Sequence, residues 1–471
     1  MHSPHPPVRP NLVLGICCLS LLMVGMDFTI VNVALPTIQR DFHADVSELQ
    51  WMIDAYTLVI ASLLIFSGSM ADRLGRRRVF QAGMVLFVLG SLLCSLASGI
   101  ALLIAFRAVQ GVGASMLNPV ALSLITNTFP EPKARAKAIG VWGSVAGLAL
   151  ALGPVLGGVL TQFVGWRSIF WINLPIGIAA VVLAARFVPE SKAARPRPVD
   201  PIGQLLVFIG LTSLTYAIIE GPHSGWSSAR IEGSFAVSLM TVATLVFYER
   251  RRTHPLLDLR FFGSVPFSSA TVIAVCAFST FGAFLLLNTL YLQQVRGFSP
   301  FIAGLCTLPI ALMTMLCAPI SGRLVGAYGT RPSLLLAGLA TLVSALLLTH
   351  LDVATPIPLI LLAYIIFGAG FGVVNIPITH TAVSGMPPSR AGVAAAIAST
   401  SRQVGATLGI AVAGTILGTH QARGLSFAQA THPVWWIMAF SGATVGLLGW
   451  LSHTLWAKKT AHRVAHLLTD G

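Results

Sequence analysis

Charge is what this 471-residue chain most lacks. Only 9% of its residues are Asp, Glu, Lys or Arg, against about 25% in soluble domains. That is too little polar surface for a folded protein of this size in water, so an apolar solvent, a bilayer, is implied. Acids are scarcest, 15 against 29 Lys and Arg. No basic run is interleaved with aromatics in a polar segment, so the excess does not point to nucleic acid. The six cysteines, Cys17, Cys18, Cys94, Cys276, Cys306 and Cys317, all lie in apolar stretches. None forms a C-x-x-C pair or a Cys/His cluster, so they read as small embedded side chains and not as disulfides or metal ligands. No G-x-x-x-x-G-K-[ST] or H-E-x-x-H motif occurs, and no polar segment is long enough for an ATPase domain. No cofactor is therefore expected, nor a primary pump within this chain.

What is present is hydrophobic length. A helical span needs about 20 apolar residues, and fourteen segments qualify: 11–35, 50–70, 79–98, 100–129, 136–160, 167–188, 201–220, 231–248, 266–292, 300–328, 332–351, 356–384, 391–418 and 433–456. The first run is expected to be a retained span and not a signal peptide, because it continues through Asp27 to Leu35 with no cleavage site after a short apolar core. With an even count and the N-terminus in the cytoplasm, 22 of the 29 Lys and Arg fall on the cytoplasmic side, Arg195 and Arg197 among them, 5 fall outside and 2 lie within spans. By the positive-inside rule both termini are expected in the cytoplasm of a cell (inner) membrane.

The chain also repeats. Gly68, Gly75 and Arg77 match Gly322, Gly329 and Arg331 at an offset of 254; Pro132, Arg135 and Ala136 match Pro387, Arg390 and Ala391 at 255; Gly111, Gly113 and Asn118 match Gly368, Gly370 and Asn375 at 257. Each pair keeps its membrane direction, so this is a parallel duplication. The expected fold is all-α: a six-span bundle over 1–188, a linker with two extra spans over 189–265, and a second six-span bundle with a short tail over 266–471.

Three polar features stand out. Asp27 lies deep in span 1 and Arg107 at matching depth in span 4. An acid at the bilayer centre costs about 2.5–3.5 kcal/mol on insertion scales, so it is expected to face protein and to be functional. Burial favours its neutral form and a nearby arginine its charged form, so a movement that alters either loads or releases a proton; a static ion pair that merely orients helices remains open. The stretch Gly68-Ser-Met-Ala-Asp72-Arg73-Leu-Gly75-Arg76-Arg77-Arg78 between spans 2 and 3 reads as a tight reversal with a local ion-pair network, either a plain basic loop or a cytoplasmic latch. In span 5, Gly143, Gly147, Gly153, Gly157 and Gly158 allow close helix approach, and Pro154 predicts a bend.

These segments resemble known patterns. The loop after span 2 resembles the G-x-L-a-D-r-x-G-r-k-x signature of the major facilitator superfamily. The second copy has Gly326 where Asp72 maps, so a latch there would be weaker. Arg107-Ala-Val-Gln110-Gly111-Val-Gly113 is similar to its R-x-x-q-G-x-g motif, and the span 5 glycines with Pro154 to its antiporter motif. Asp27 to Pro36 with Asn32, Gly165 to Pro175 with Asn173, and Arg402-Gln403 with Gly405 are similar to the fourteen-span drug:proton antiporters of the EmrB/QacA type. The resemblance implies export of a small-molecule substrate against protons, by a monomer in the lipid bilayer. Asn32, Asp54, Gln110, Arg402 and Gln403 are the substrate-cavity candidates. Asp54 and Glu220, near outer span ends, read as solvated interfacial carboxylates, and Trp435 and Trp436 as an interfacial belt. Export of an endogenous metabolite or natural product, a membrane-embedded enzyme and a transporter-like sensor are the alternatives.

Overall fold

The computed structural model describes residues 9–193, 199–252, 255 and 258–469. Arg195 and Arg197, counted above among the cytoplasmic cations, lie outside the described residues. The described chain is helical: α1 (Pro10–Phe42), α2 (Val46–Leu74), α3 (Arg76–Ser95), α4 (Ile100–Thr128), α5 (Pro132–Phe163), α6 (Ser168–Trp171), α7 (Asn173–Phe187), α8 (Pro201–Ser224), α9 (Ala229–Arg250), α10 (Val265–Leu290), α11 (Pro300–Tyr328), α12 (Thr330–Leu348), α13 (Ile357–Val383), α14 (Pro388–Ala422), α15 (Phe427–Leu451) and α16 (Leu455–Thr469).

Among the described residues, thirteen helical stretches are long and apolar enough to cross a bilayer, with α6 and α7 counting as one. The remaining expected span is α14. Its 35 residues are long enough to cross, but Arg402, Gln403 and a series of Ser, Thr and Gly make it more polar. It is enclosed by α10, α2 and α8, so protein and not lipid is its main solvent. The helices overrun the apolar segments, α1 by nearly two turns at its end and α5 by about a turn at its start, because a helix continues into the headgroup region until a cap stops it. Asp45 provides such a cap: its side chain accepts from the Glu48 N–H while Glu48 bonds back to Asp45 N, a capping box.

The repeat read from the glycines is a repeat of packing. In the first half α1 packs on α5, α2 on α4, and α3 on α4 and α7. In the second, α10 packs on α14, α11 on α13, and α12 on α13 and α15. Two matching seams join the halves, α5 against α11 and α2 against α14. The inserted α8 lies along the second seam, touching α2 and α14, and α9 packs chiefly on α8. Leu239, Met240 and Phe247 of α9 and Phe440 of α15 are strongly exposed, as side chains facing acyl chains must be. Trp436 is exposed likewise, but Trp435 is buried against Phe284, which corrects its assignment to an interfacial belt: adjacent residues on a helix point about 100° apart.

Hydrogen bonds between the halves gather toward the end carrying the α1–α2 turn. There Gln50 donates to the carbonyls of Ile410 and Ala411, Thr407 to Thr57, Gln293 to Val33 O, and Gln294 to Gln39. At the other end, α16 extends what the sequence reading left as a short tail. Ala457, Ala461, Val464 and Leu468 share its buried face, and Arg260 holds it by donating to Leu467 O. Arg260 also bonds Asp258; burial pushes the Asp258 carboxyl up, but these bonds outweigh it and hold the group below its ordinary range.

Helix α5 is a wedge between α1 and α11. A side chain at Gly153 would collide with Thr29, and one at Gly157 would lie 2.8 Å from Ile30; at Gly158 it would lie 2.6 Å from Pro300 O, across the seam. Gly143 has no such neighbour within 4 Å, so close packing in this structure does not require its small size. Gly158→Val is therefore expected to destabilise the purified protein by about 1–3 kcal/mol in thermal scans, through forced separation of packed backbones, while Gly143→Ala stays near the parent.

Candidate functional site

Asp27 and Arg107 meet inside the first bundle. Arg107 Nη1 stands 2.6 Å from Asp27 Oδ2, with the side chains 1% and 0% exposed. The second carboxylate oxygen accepts from Gln110 Nε2 at 2.9 Å and Asn173 Nδ2 at 3.1 Å. Arg107 also donates from Nη1 to Gln110 Oε1 at 2.7 Å and lies 4.1 Å over the Tyr56 ring. Ser91 Oγ accepts from Asn173 and donates to Phe170 O. Helical spacing explains the assembly: Arg107 and Gln110 are one turn apart on α4, so both face α1. The result is a charged pair with extra hydrogen bonds, the condition under which a buried pair is tolerable. Sequence reading found Asp27 and Arg107, and quoted Asn173 within a motif. It missed Ser91 and Tyr56, which carry no unusual local pattern, and placed Gln110 in a cavity when it serves this cluster.

The second half carries a counterpart without charge. The 257-residue offset of α4 and α13 takes Arg107 to Tyr364 and Gln110 to Phe367. On α10, Phe284 meets both, edge-on at 5.2 Å to Tyr364 and stacked at 4.0 Å on Phe367, and Trp435 of α15 closes the group at 6.4 Å. One architecture is thus filled by an ion pair in one half and by rings in the other.

At the α2–α3 turn, Asp72 Oδ1 pairs with Arg76 at 2.9 Å. Gly75 adopts φ 114°, which favours glycine. Glu190, unnoticed in the sequence, completes the network from the segment after α7. It accepts from Arg77 N at 3.1 Å and lies 3.7 Å from Arg78, and any side chain at Gly75 would strike it. Backbone bonds Arg76 N–Ser191 O and Ala193 N–Asp72 O tie the same two segments. Arg73 is engaged as well.

Between the halves, a narrow gap of about 10 Å³ is lined by Thr29, Leu150 and Pro154 from one side and by Phe281, Leu285, Thr307 and neighbours from the other. None of Asn32, Asp54, Gln110, Arg402 or Gln403 lines it. Asn32 donates to Phe28 O, and its Oδ1 has no partner among the described residues. Arg402 donates to Thr379 and, at 3.5 Å, to Asn375 O, with no acidic partner among the described residues. Asp54 is 0% exposed and not a solvated carboxylate. Its Oδ1 accepts from Thr57 at 3.3 Å and its Oδ2 has no partner among the described residues. The error came from counting depth along one helix, which ignores what a neighbouring helix covers. Glu220 is partly covered and accepts from Trp51 at 2.8 Å.

A sequence model described as Major Facilitator Superfamily matches residues 17–410. The "Multidrug resistance protein Stp" of Mycobacterium tuberculosis (strain CDC 1551 / Oshkosh) is 39% identical over 85% of this chain and 74% of its own length. The "Tetracenomycin C resistance and export protein" of Streptomyces glaucescens is 35% identical over 89% and 78%, and the "Puromycin resistance protein pur8" of Streptomyces alboniger 37% over 84% and 79%. Among solved structures, a peptide transporter POT in complex with sulfate superposes with a TM-score of 0.65 at 16% identity, covering 97% of this chain and 95% of that one; this likeness concerns the fold.

Removing one member of a buried ion pair costs about 3–5 kcal/mol, and removing both is often neutral. Arg107→Leu alone is thus expected to lower the thermal unfolding midpoint markedly. The double variant Asp27→Leu with Arg107→Leu should recover most of that loss without recovering transport. Equal destabilisation by single and double variants in thermal scans would mean the two groups are not coupled.

Proposed function

The chain belongs to the major facilitator superfamily, and from that premise we propose that it exports drugs or similar small amphipathic compounds in exchange for protons by alternating access. It is a multi-pass membrane transporter and not an enzyme. The observation that carries the proton reading is the contrast between the halves. Phe284, Tyr364, Phe367 and Trp435 fill the second bundle with rings, so the architecture does not need charge at that place. An ion pair that packing does not require, and that costs desolvation on both members, is better explained by use than by stability. Protonation of Asp27 would release Arg107 and the hydrogen bonds from Gln110 and Asn173, and rocking of the two seams would return the carboxyl to the opposite side. The family relatives are named for resistance to, or export of, tetracenomycin C and puromycin. The narrow gap between the halves is lined by apolar side chains with Thr29, Thr307 and Thr314, a lining that suits compounds of that amphipathic kind once the halves part. In this reading the charge bias puts the α1–α2 turn outside and the closed end faces outward, and the chain acts as a monomeric fourteen-span antiporter of the EmrB/QacA type in the cell membrane. In that reading the Asp72–Arg76–Glu190 network is the cytoplasmic latch.

The experiment is efflux of puromycin and tetracenomycin C in everted vesicles, with and without a protonophore. Parent transport should collapse with the protonophore. Asp27→Asn should lose uphill transport by at least tenfold while keeping downhill drug exchange. Unchanged pH-dependent transport by Asp27→Asn would remove Asp27 from the coupling role, and transport indifferent to the protonophore would remove proton drive.

A further inference from the structure

The two inserted helices and Asp54 have no place in the scheme above, and the structure puts them together. On α2, Trp51, Asp54, Leu58 and Ala61 recur at helical spacing and share one face. Trp51 bonds Glu220 of α8 and tilts against Tyr216 of α8 at 6.2 Å. Leu58 and Ala61 form a closely packed junction with Leu211 and Thr215 of α8 and with Val404, Thr407 and Leu408 of α14. Asp54 lies between these contacts, one turn from each, where a helix of the first half, a helix of the second and the insert converge. A hydroxyl relay reaches it across the seam: Thr407 donates to Thr57 at 2.9 Å, and Thr57 to Asp54 Oδ1. The insert is fastened to both sides, Gln204 donating to Ser62 O of α2 and Thr415 of α14 donating to Ile218 O of α8.

The charged groups on every packed element are otherwise engaged. On α1 and α4, Asp27 and Arg107 hold each other. On α8, Glu220 takes the Trp51 bond, Tyr216 stacks, and His223 stands 3.6 Å from Asp45 at the helix mouth. On α14, Arg402 turns to Thr379 and His420 to Ala430 O. On α3, Cys94 meets Gln110. Among the described residues no ion pair includes Asp54. An ionised carboxylate with a bare oxygen in a dry junction would cost far more than its neutral acid.

We propose that Asp54 is a second proton-carrying carboxyl of the transport cycle, and that the inserted α8–α9 pair walls its site off from lipid. With the seam closed, Asp54 holds its proton. When α2 parts from α14 at the α1–α2 end, the Thr57–Thr407 and Gln50 bonds break, water enters and the proton passes between the carboxyl and that water. The polar column His223–Asp45 and Glu220–Trp51 leads from the helix mouth to Asp54, about 13 Å along α2 from Asp45 to Asp54 at ~1.5 Å per residue. This rests on the antiport reading and adds a second titrating group to it.

The first test needs no drug. Infrared spectra of purified full-length protein at neutral pH should contain a protonated-carboxyl stretch that is missing from Asp54→Asn; superposable spectra in that region would overturn the proposal. The second measures protons moved per puromycin in proteoliposomes. Asp54→Asn matches the shape of the neutral acid, so its thermal midpoint should stay near the parent's, with puromycin exchange retained and about one proton per cycle lost. Asp54→Glu should restore that proton. A parent-like proton count in Asp54→Asn would leave Asp54 structural while Asp27 coupling stands. A parent that moves puromycin without protons would remove the antiport reading and this proposal together.

Discussion

The contact between Arg107 and Asp27 organises the first half of this protein. Taking a guanidinium or a carboxylate out of water alone is costly, so each favours a place beside the other's helix. Around them α1, α4 and α7 supply Asp27, Gln110 and Asn173, α3 supplies Ser91, and α2 lends the Tyr56 ring. Five of the six spans of the bundle therefore meet at one polar point. The second bundle reaches the same arrangement of helices with Phe284, Tyr364, Phe367 and Trp435. Rings packed on one another fill this place in one bundle and a charged pair fills it in the other.

In the proposed cycle the seams are where such a local event would become movement. Gly158 of α5 and Gly304 of α11 bring backbones into direct contact between the halves, leaving little side-chain bulk to resist sliding. The opposite seam is held by hydrogen bonds from Gln50 and Thr407, which are few and can exchange with water. Bonds of this kind break at modest cost where water replaces them, whereas the packed bundles on either side stay whole. Tilting of two rigid halves is the motion such a distribution of contacts permits.

Much of this was legible in the sequence, because the bilayer forces a simple code. Apolar length gave the spans, and the recurring glycines announced a duplication that the helix packing repeats. The acid and arginine of the first bundle were visible because charge in a span is costly. Polar helix α14 was harder only by composition, since protein surrounds it. What stayed hidden depended on neighbours. Asp54 looked solvated along a single helix but is buried where α2 packs on α14 and α8, Glu190 lay far along the chain from the loop it joins, and Trp435 faced inward while Trp436 faced out. The lining of the cleft was invisible for a physical reason: Leu150, Phe281 and Leu285 are the residue types that also face lipid. Helix α16 went unread because four buried side chains on one face do not make an apolar run.

The central claim is that the Asp27–Arg107 contact breaks when the carboxyl gains a proton. Solid-state NMR of protein in lipid, with labelled Arg and Asp side chains assigned by Arg107→Lys and Asp27→Asn, reads the guanidinium-to-carboxyl distance directly. The account predicts a short contact in alkaline medium that lengthens on acidification. A distance that holds constant across the pH range in which transport changes would contradict it.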